Sequence, residues 1–440
     1  MKKIFLILLA MLFLPCLAMA QKVAVLPLIA KEYDGLVALY KDLHQNPEIS
    51  FQEKETAAKL AKELKKLGFE VTEGVGGYGL VAVLRNGTGK TILVRADMDA
   101  LPMLEETNLE YASKAFGKDD SGQPVPAMHG CGHDIHMTVL IGTAKVLAAS
   151  KKDWRGTVVL VAQPAEERGS GAKAMLKEGL YTKFPKPDYA LALHTSASLP
   201  AGSVGLCSEY ALANVDMVDI WVYGEGGHGA YPHLTKDPIV LASQIVVALQ
   251  TVVSRETNPI EPAVLTVGAF HAGTKHNVIP NEAHLKLTLR SYSAEVRQNM
   301  IQQINRICAG MAQAAGLLAS KYPKVVVNES EALPSLYNDP TLTKELETLF
   351  GKLLGTTHTV KSPPVLGAED FGLFGRDSEH KVPICLYWLG TVNETHYQEF
   401  LKGERKLPSL HSSKYAPQIS PTLETGIRTM SEAVLMLLAK

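Results

Sequence analysis

The pattern of strands and helices along the chain changes once, and that change limits the folds available to it. From residue 79 to residue 193, short apolar runs alternate with helical stretches. Residues 79–84 and 91–95 read as strands, 136–149 as a helix, 157–162 as a strand, 170–178 as a helix and 188–193 as a strand. Strands that alternate with helices need crossover connections, which place them in a mostly parallel sheet covered on both faces. Upstream, Leu36, Leu39, Tyr40 and Leu43 recur at helical spacing, and a second helix over 53–67 stops at Gly68. After Cys207 the order becomes strand 215–222, helix 237–253, strands 263–270 and 283–290, helix 294–315, strand 324–328. That β-α-β-β-α-β unit buries its own core and is of a size that can be inserted into a larger domain. A helix over 341–354, a strand over 384–389 and a helix over 421–438 return to the first pattern. The expected fold is therefore an outer α/β domain (21–206 and 332–440) with a mixed, mostly parallel sheet covered by helices. An inserted α+β domain (207–331) interrupts it.

The composition suits such a fold. Hydrophobic residues make up 46% and charged residues 20%, which excludes a disordered chain. Lys and Arg number 44 against 45 Asp and Glu, so there is no broad nucleic-acid footprint. At the start, Lys2 and Lys3 precede an apolar run over 4–14, and Ala18-Met19-Ala20 supplies small residues where a signal peptidase reads. The run is too short to span a membrane. Residues 1–20 are expected to be a signal peptide cut before Gln21, leaving an exported chain, periplasmic or secreted, with no membrane segment. The remaining cysteines, Cys131, Cys207, Cys308 and Cys385, form no C-x-x-C pair. The last three sit in apolar runs and read as buried small hydrophobes.

Chemistry concentrates in five places. His129-Gly130-Cys131-Gly132-His133-Asp134, with His136 beyond, puts three imidazoles, a thiol and a carboxylate within eight residues. The flanking glycines let the backbone bend so that these side chains converge, and imidazole and thiolate suit zinc and similar metals. Glu166-Glu167 follows a strand and the turn Gln163-Pro164, at an edge where open α/β sheets keep their sites. His194 ends one predicted strand, Asp97-Met98-Asp99 ends another, and His411 lies in a loop. Converging on one edge, these groups can hold two metal ions with a shared bridge. The chain lacks the H-E-x-x-H of helix-based zinc proteases, the deaminase pattern, a serine nucleophile elbow and a phosphate-binding glycine loop.

Seven segments in order carry a resemblance: Arg95 to Pro102, His129 to Asp134, Gln163 to Glu167, His194, Gly226 to His233, Asn277 to Pro280, and Leu410 to Ser412. They resemble the amidohydrolase branch of the aminoacylase and carboxypeptidase metallopeptidase family, over essentially all of the mature chain. The resemblance implies that the outer domain is catalytic and the inserted one a lid or dimerisation domain. It implies two divalent ions, zinc or manganese with cobalt or nickel as alternatives. Cys131 would bridge them, and His133, Glu167, His194 and His411 would complete the ligand set. Glu166 would be the general base, and Asp99 would orient a ligand. His228 would reach the site from the inserted domain, in some relatives from the other subunit of a dimer. Asn277 and Arg290 would bind substrate. Peptidase branches carry a metal-binding histidine at the position of Asp97, so Asp97 together with Cys131 favours N-acyl amino acids as substrates. Short peptides, cleaved by a dipeptidase or carboxypeptidase of the same family, are the alternative. An exported binding protein is a third reading, but it leaves Glu166-Glu167 without a purpose. The resemblance further implies a homodimer. The charged loops over 117–123 and 376–381 depart from the family pattern and bear on specificity.

Overall fold

An eight-stranded sheet runs through the outer domain in the computed structural model, which describes residues 24–376 and 381–439. The expected signal peptide and most of the charged loop over 376–381 lie outside the described residues. Across the sheet the strands are Glu70–Glu73, Leu80–Asn86, Gly156–Gln163, Thr91–Asp97, Tyr189–Pro200, Ile384–Val392, Val204–Leu206 and Thr359–Lys361. The four central strands, Gly156–Gln163 through Ile384–Val392, run parallel to one another. Leu80–Asn86 and Val204–Leu206 flank them antiparallel. The sheet is thus mixed and mostly parallel at its centre, as expected. The central strands are apolar almost throughout because helices cover both faces.

One face packs the helices Val25–Gln45, Lys54–Lys66, His133–Ala149, Pro340–Leu354 and Ile419–Leu438 into the larger core, with Leu36, Leu60, Ile141, Phe350 and Val434 buried there. The other face carries Gly171–Lys177 and the turn Asp370–Gly375 over Met175, Phe371 and Phe374. The helix His133–Ala149 is buried on nearly all sides. It begins three residues earlier than its apolar pattern predicts. Gly132, at φ +79, turns the chain into it, and a Cβ there would meet Thr195 at 2.6 Å. The early start puts His133 in the first helical turn.

Residues 214–327 form a second sheet, antiparallel throughout, in the order Ala263–Ala272, Glu282–Ser291, Asn214–Tyr223, Lys324–Val327. The helices Pro238–Thr251 and Ala294–Ala314 cover it with a separate core that includes Ile220, Ile245, Leu285, Ile304 and Cys308. Asp237 caps the first helix by accepting from the Ile239 and Val240 amides, with Pro238 at the first helical position. That helix ends at Thr251 and continues as a π-turn, Val252–Glu256. The four cysteines Cys131, Cys207, Cys308 and Cys385 are free and buried.

The segment read from sequence as a charged loop over 117–123 is the tip of a hairpin, Phe116–Lys118 paired with Pro124–Pro126. Asp119 closes it by accepting from the amides of Ser121 and Gln123.

Candidate metal centre

The ends of the parallel strands and the start of one helix deliver the site. Thr91–Asp97 leads to Asp97 and Asp99, and Gly156–Gln163 leads through Pro164 and Ala165 to Glu166 and Glu167. Tyr189–Pro200 carries His194 within it, and Cys131 comes just before Gly132, the cap of the helix that opens with His133. His411 comes from a loop, and its amide donates to Gly130 O at 2.9 Å. Ala165 (φ +49) and His411 (φ +63) both hold left-handed backbone, which non-glycine residues keep only where surroundings enforce it.

Two of the donor triads that result share Cys131. One ligand atom each from Cys131, His133 and His194 lie within 4.8 Å of one another, and so do those from Cys131, Glu167 and His411. Cys131 is common to both. Its Sγ lies 3.4 Å from His194 Nε2. His133 Nε2 and Glu167 Oε1 are 3.9 Å apart, and both are buried with no hydrogen-bond partner among the described residues. A buried polar atom left unpaired is costly, and in native proteins it points to an ion or water. The residues present therefore fit a pair of cations.

The other ring nitrogens are fixed. His133 Nδ1 donates to Asp99 O (2.7 Å) and His194 Nδ1 to Thr195 O (2.8 Å). Each leaves Nε2 free for a cation, the arrangement typical of metal-binding histidines. His136 differs: Nδ1 donates to Asp97 Oδ1 (2.5 Å) and Nε2 accepts from the Thr195 amide (2.9 Å). Both its nitrogens are used, so it supports the site without facing it. The Asp99 carboxylate accepts from the amides of Glu166 and Glu167, both at 3.0 Å, and from Ser50 Oγ at 2.6 Å.

The electrostatics are those of a site built around positive charge. Burial, with Glu167 and Glu166 beside it, pushes the Cys131 thiol well above its usual range. Burial likewise raises Glu167 to about 7 and Glu166 well above an ordinary carboxylic acid. Burial holds His194 neutral. A cation at this place would invert the balance, because Cys131 as a ligand would lose its proton.

A supporting network escaped the sequence reading. Arg95 is fully buried under the sheet edge. It donates to Gln163 (2.9 Å), Asp97 (2.7 Å), Glu369 (2.9 Å) and Asp370 (3.1 Å). Carboxylate oxygens of Glu166, Glu369 and Asp370 lie within 4.8 Å of one another. Glu369 and Asp370 follow no strand, so periodicity gave no signal for them; the only trace is two adjacent carboxylates before Phe371.

A cleft of about 1510 Å³ opens over the centre, lined by Cys131, Glu166, Glu167, His194 and His411 and, from the inserted domain, by Met217 and Arg290. Arg290 Nη1 donates to Leu366 O (3.2 Å), and no carboxylate pairs with it among the described residues. Trp388 stands beside His194, ring centres 5.4 Å apart. His228 and Asn277 are elsewhere. They meet where the short strands Gly227–His228 and Val278–Ile279 pair, Asn277 just before the second, and the Gly229 amide donates to Asn277 O (2.9 Å). His228 is exposed, and neither residue lines the cleft of its own chain.

A mostly parallel sheet with a thiol, three imidazoles and paired carboxylates at its C-terminal edge defines a metal-dependent hydrolase of the amidohydrolase and peptidase kind. The chain belongs to Peptidase family M20/M25/M40, whose profile matches residues 93–408. It is 34% identical to an N-acetylcysteine deacetylase of Bacillus subtilis, covering 89% of this chain and 97% of that one. It is 39% identical to a hippurate hydrolase of Campylobacter jejuni, covering 76% and 82%. A thermostable carboxypeptidase of Saccharolobus solfataricus is 37% identical, covering 82% and 87%. Among solved structures, a dinuclear metal-binding peptidase of the M20 family from Bacillus subtilis superposes with a TM-score of 0.75 at 28% identity, covering 93% of this chain and 99% of that one.

Proposed function

We propose that this chain is an exported amidohydrolase that removes the acyl group from N-acyl amino acids, with two divalent cations and Glu166 as general base. The observation that carries the reading is Cys131 shared between two donor triads, with Glu166 buried beside His133 of the first and Glu167 of the second. Cys131, His133 and His194 would hold one ion, and Cys131, Glu167 and His411 the other. Thiolate with imidazole suits zinc, and the carboxylate admits manganese, cobalt or nickel. When bound, the ions polarise the substrate carbonyl and acidify water.

The chain's own residues do the rest. Glu166 takes a proton from the attacking water and passes it to the departing amine. Water oxygen bonds to the carbonyl carbon, the C–N bond breaks, and a carboxylic acid and a free amino acid leave. Asp99 holds Glu166 and Glu167 in register through their amides. Arg290 takes the substrate carboxylate, since its guanidinium faces the cleft without an acidic partner among the described residues. Asn277 binds substrate. His228 donates to the developing oxyanion. Because His228 and Asn277 lie away from the cleft of their own chain, they serve the site of a second subunit in a homodimer. Val240 and Val247, exposed on the helix Pro238–Thr251, offer apolar surface for that association.

Asp97, where the peptidase branches carry a metal-binding histidine, favours N-acyl amino acids over peptides; its carboxylate bonds Arg95 and His136. The similarity to a carboxypeptidase keeps a peptidase as the second reading. Metal-free protein reconstituted separately with zinc, manganese, cobalt and nickel should release amino acid from N-acyl substrates. Cleavage of dipeptides alone would move the chain to the peptidase branch.

A further inference from the structure

The turn over residues 49–52 carries an aromatic ring where local geometry favours glycine. The Gln52 amide donates to Ile49 O (2.9 Å), closing a four-residue turn whose third member, Phe51, has φ +66. A turn of that hand takes glycine or asparagine there, because a Cβ crowds the backbone. Core packing does not explain Phe51. The residue is 49% exposed and belongs to none of the three apolar cores.

The turn is tied down on every side. Ser50 Oγ donates to Asp99 Oδ2 (2.6 Å), and Glu53 Oε1 accepts from the Ala165 amide (2.8 Å). The Ala100 amide donates to Glu48 O (2.8 Å). The Gln52 side chain bonds both main-chain groups of Lys118 on the hairpin, at 2.8 and 3.1 Å. Asp99 and Ala165 are also the residues that set the positions of Glu166 and Glu167. The ring of Phe51 thus stands at a fixed place relative to the proposed base, and it lines the same cleft. Strain over-determined by its surroundings and exposed to a cleft is characteristic of functional positions.

We infer that Phe51 is a specificity-determining residue: its ring is a fixed wall for an aromatic group on the substrate, next to the scissile amide. This rests on the N-acyl amino acid reading above. A strained backbone keeps the ring in the cleft, where no rotation of a relaxed loop can withdraw it.

The test compares wild type, Phe51→Gly and Phe51→Tyr in the metal-loaded enzyme. The substrates are N-acetylalanine, N-benzoylalanine and N-acetylphenylalanine, and Tm is measured alongside. For Phe51→Gly, kcat/KM for at least one aromatic substrate should fall about tenfold relative to N-acetylalanine. Its Tm should match or exceed wild type, because glycine relaxes the turn. Phe51→Tyr should keep the wild-type selectivity. An unchanged ratio of aromatic to N-acetylalanine rates in Phe51→Gly overturns the inference. A parallel loss on all three substrates with a lower Tm does so as well, since it assigns the ring a structural role. If wild type cleaves none of the three, the N-acyl reading itself fails and the inference falls with it.

Discussion

His133 Nδ1 donates to the main-chain carbonyl of Asp99 at 2.7 Å, which fixes the imidazole's orientation and leaves Nε2 buried without a hydrogen-bond partner among the described residues. Asp99 therefore acts twice, since its carboxylate also accepts from the Glu166 and Glu167 amides. Asp99→Asn keeps one acceptor oxygen where two amides and Ser50 now bond. Supporting residues of this kind cost about 10- to 100-fold in activity or metal affinity when removed. We expect kcat/KM to fall in that range with the fold intact by circular dichroism. A rate close to wild type, far short of the roughly tenfold lower bound of such effects, would show that Asp99 positions nothing.

Glu166→Gln separates the base from the ligands. The substitution keeps shape and removes the proton acceptor, so kcat should fall by about 10²- to 10⁴-fold. Metal content should stay at the wild-type stoichiometry, because Glu166 belongs to neither triad that shares Cys131. Elemental analysis beside steady-state kinetics checks both halves, and metal lost in step with activity would make Glu166 a ligand.

Cys131→Ala removes the one donor common to both triads. Metal and activity should disappear together. Chelation of wild type should lower its Tm, since ions that bind only the folded chain stabilise it by about 3 kcal/mol at a hundred times their Kd. Calorimetry with and without chelator reads this directly. A variant that keeps both ions would dismiss the bridging role.

Much of this site was legible in the sequence, and the reasons for success and failure are physical. Cys131, His133, Glu166, Glu167 and His194 sit on or beside long apolar strands and a helix, whose periodicity placed them at one edge. His411 stood in a loop with no periodicity to place it at that edge, and the family resemblance supplied its role as a ligand. The Arg95 contacts to Glu369 and Asp370 span a separation of more than 270 residues, and nothing local in either segment announces the pairing. Glu70–Glu73, Val204–Leu206 and Thr359–Lys361 are too short to show a period of two, so the sheet is wider than its sequence signature. The positive φ of Phe51 is likewise invisible, because an aromatic residue is the last choice for it.

Another buried histidine, bonded to Asp134 next to the proposed ligand His133, gives a pH signature. His44 lies between Asp134 (2.6 Å) and Glu105 (3.1 Å). Burial opposes its charge, but the two carboxylates outweigh burial and lift its pKa from 6.5 to about 9. A raised folded-state pKa means that this contribution to stability is fully present below about pH 6.5 and is lost as pH rises through about 9. The magnitude is on the order of 3 kcal/mol. Urea midpoints should fall between about pH 6.5 and pH 9.5, and the fall should shrink in His44→Gln. Identical pH profiles for the two proteins would rule out His44 as the titrating group.

His228 gives the most direct test of subunit sharing. Its exposed position beside Tyr231, ring centres 5.2 Å apart, lies outside the cleft of its own chain. If it serves the neighbouring subunit, Glu166→Ala and His228→Ala will each be inactive alone and will complement when mixed. In a heterodimer of the two, one site inherits Glu166 from one chain and His228 from the other, while the second site lacks both. Random exchange of equal amounts makes half the dimers mixed, so about one quarter of wild-type activity should return. Recovery should track subunit exchange followed by native mass spectrometry. If mixed dimers form and no activity returns, His228 acts within its own chain, and closure of the inserted domain over the cleft must then bring it in.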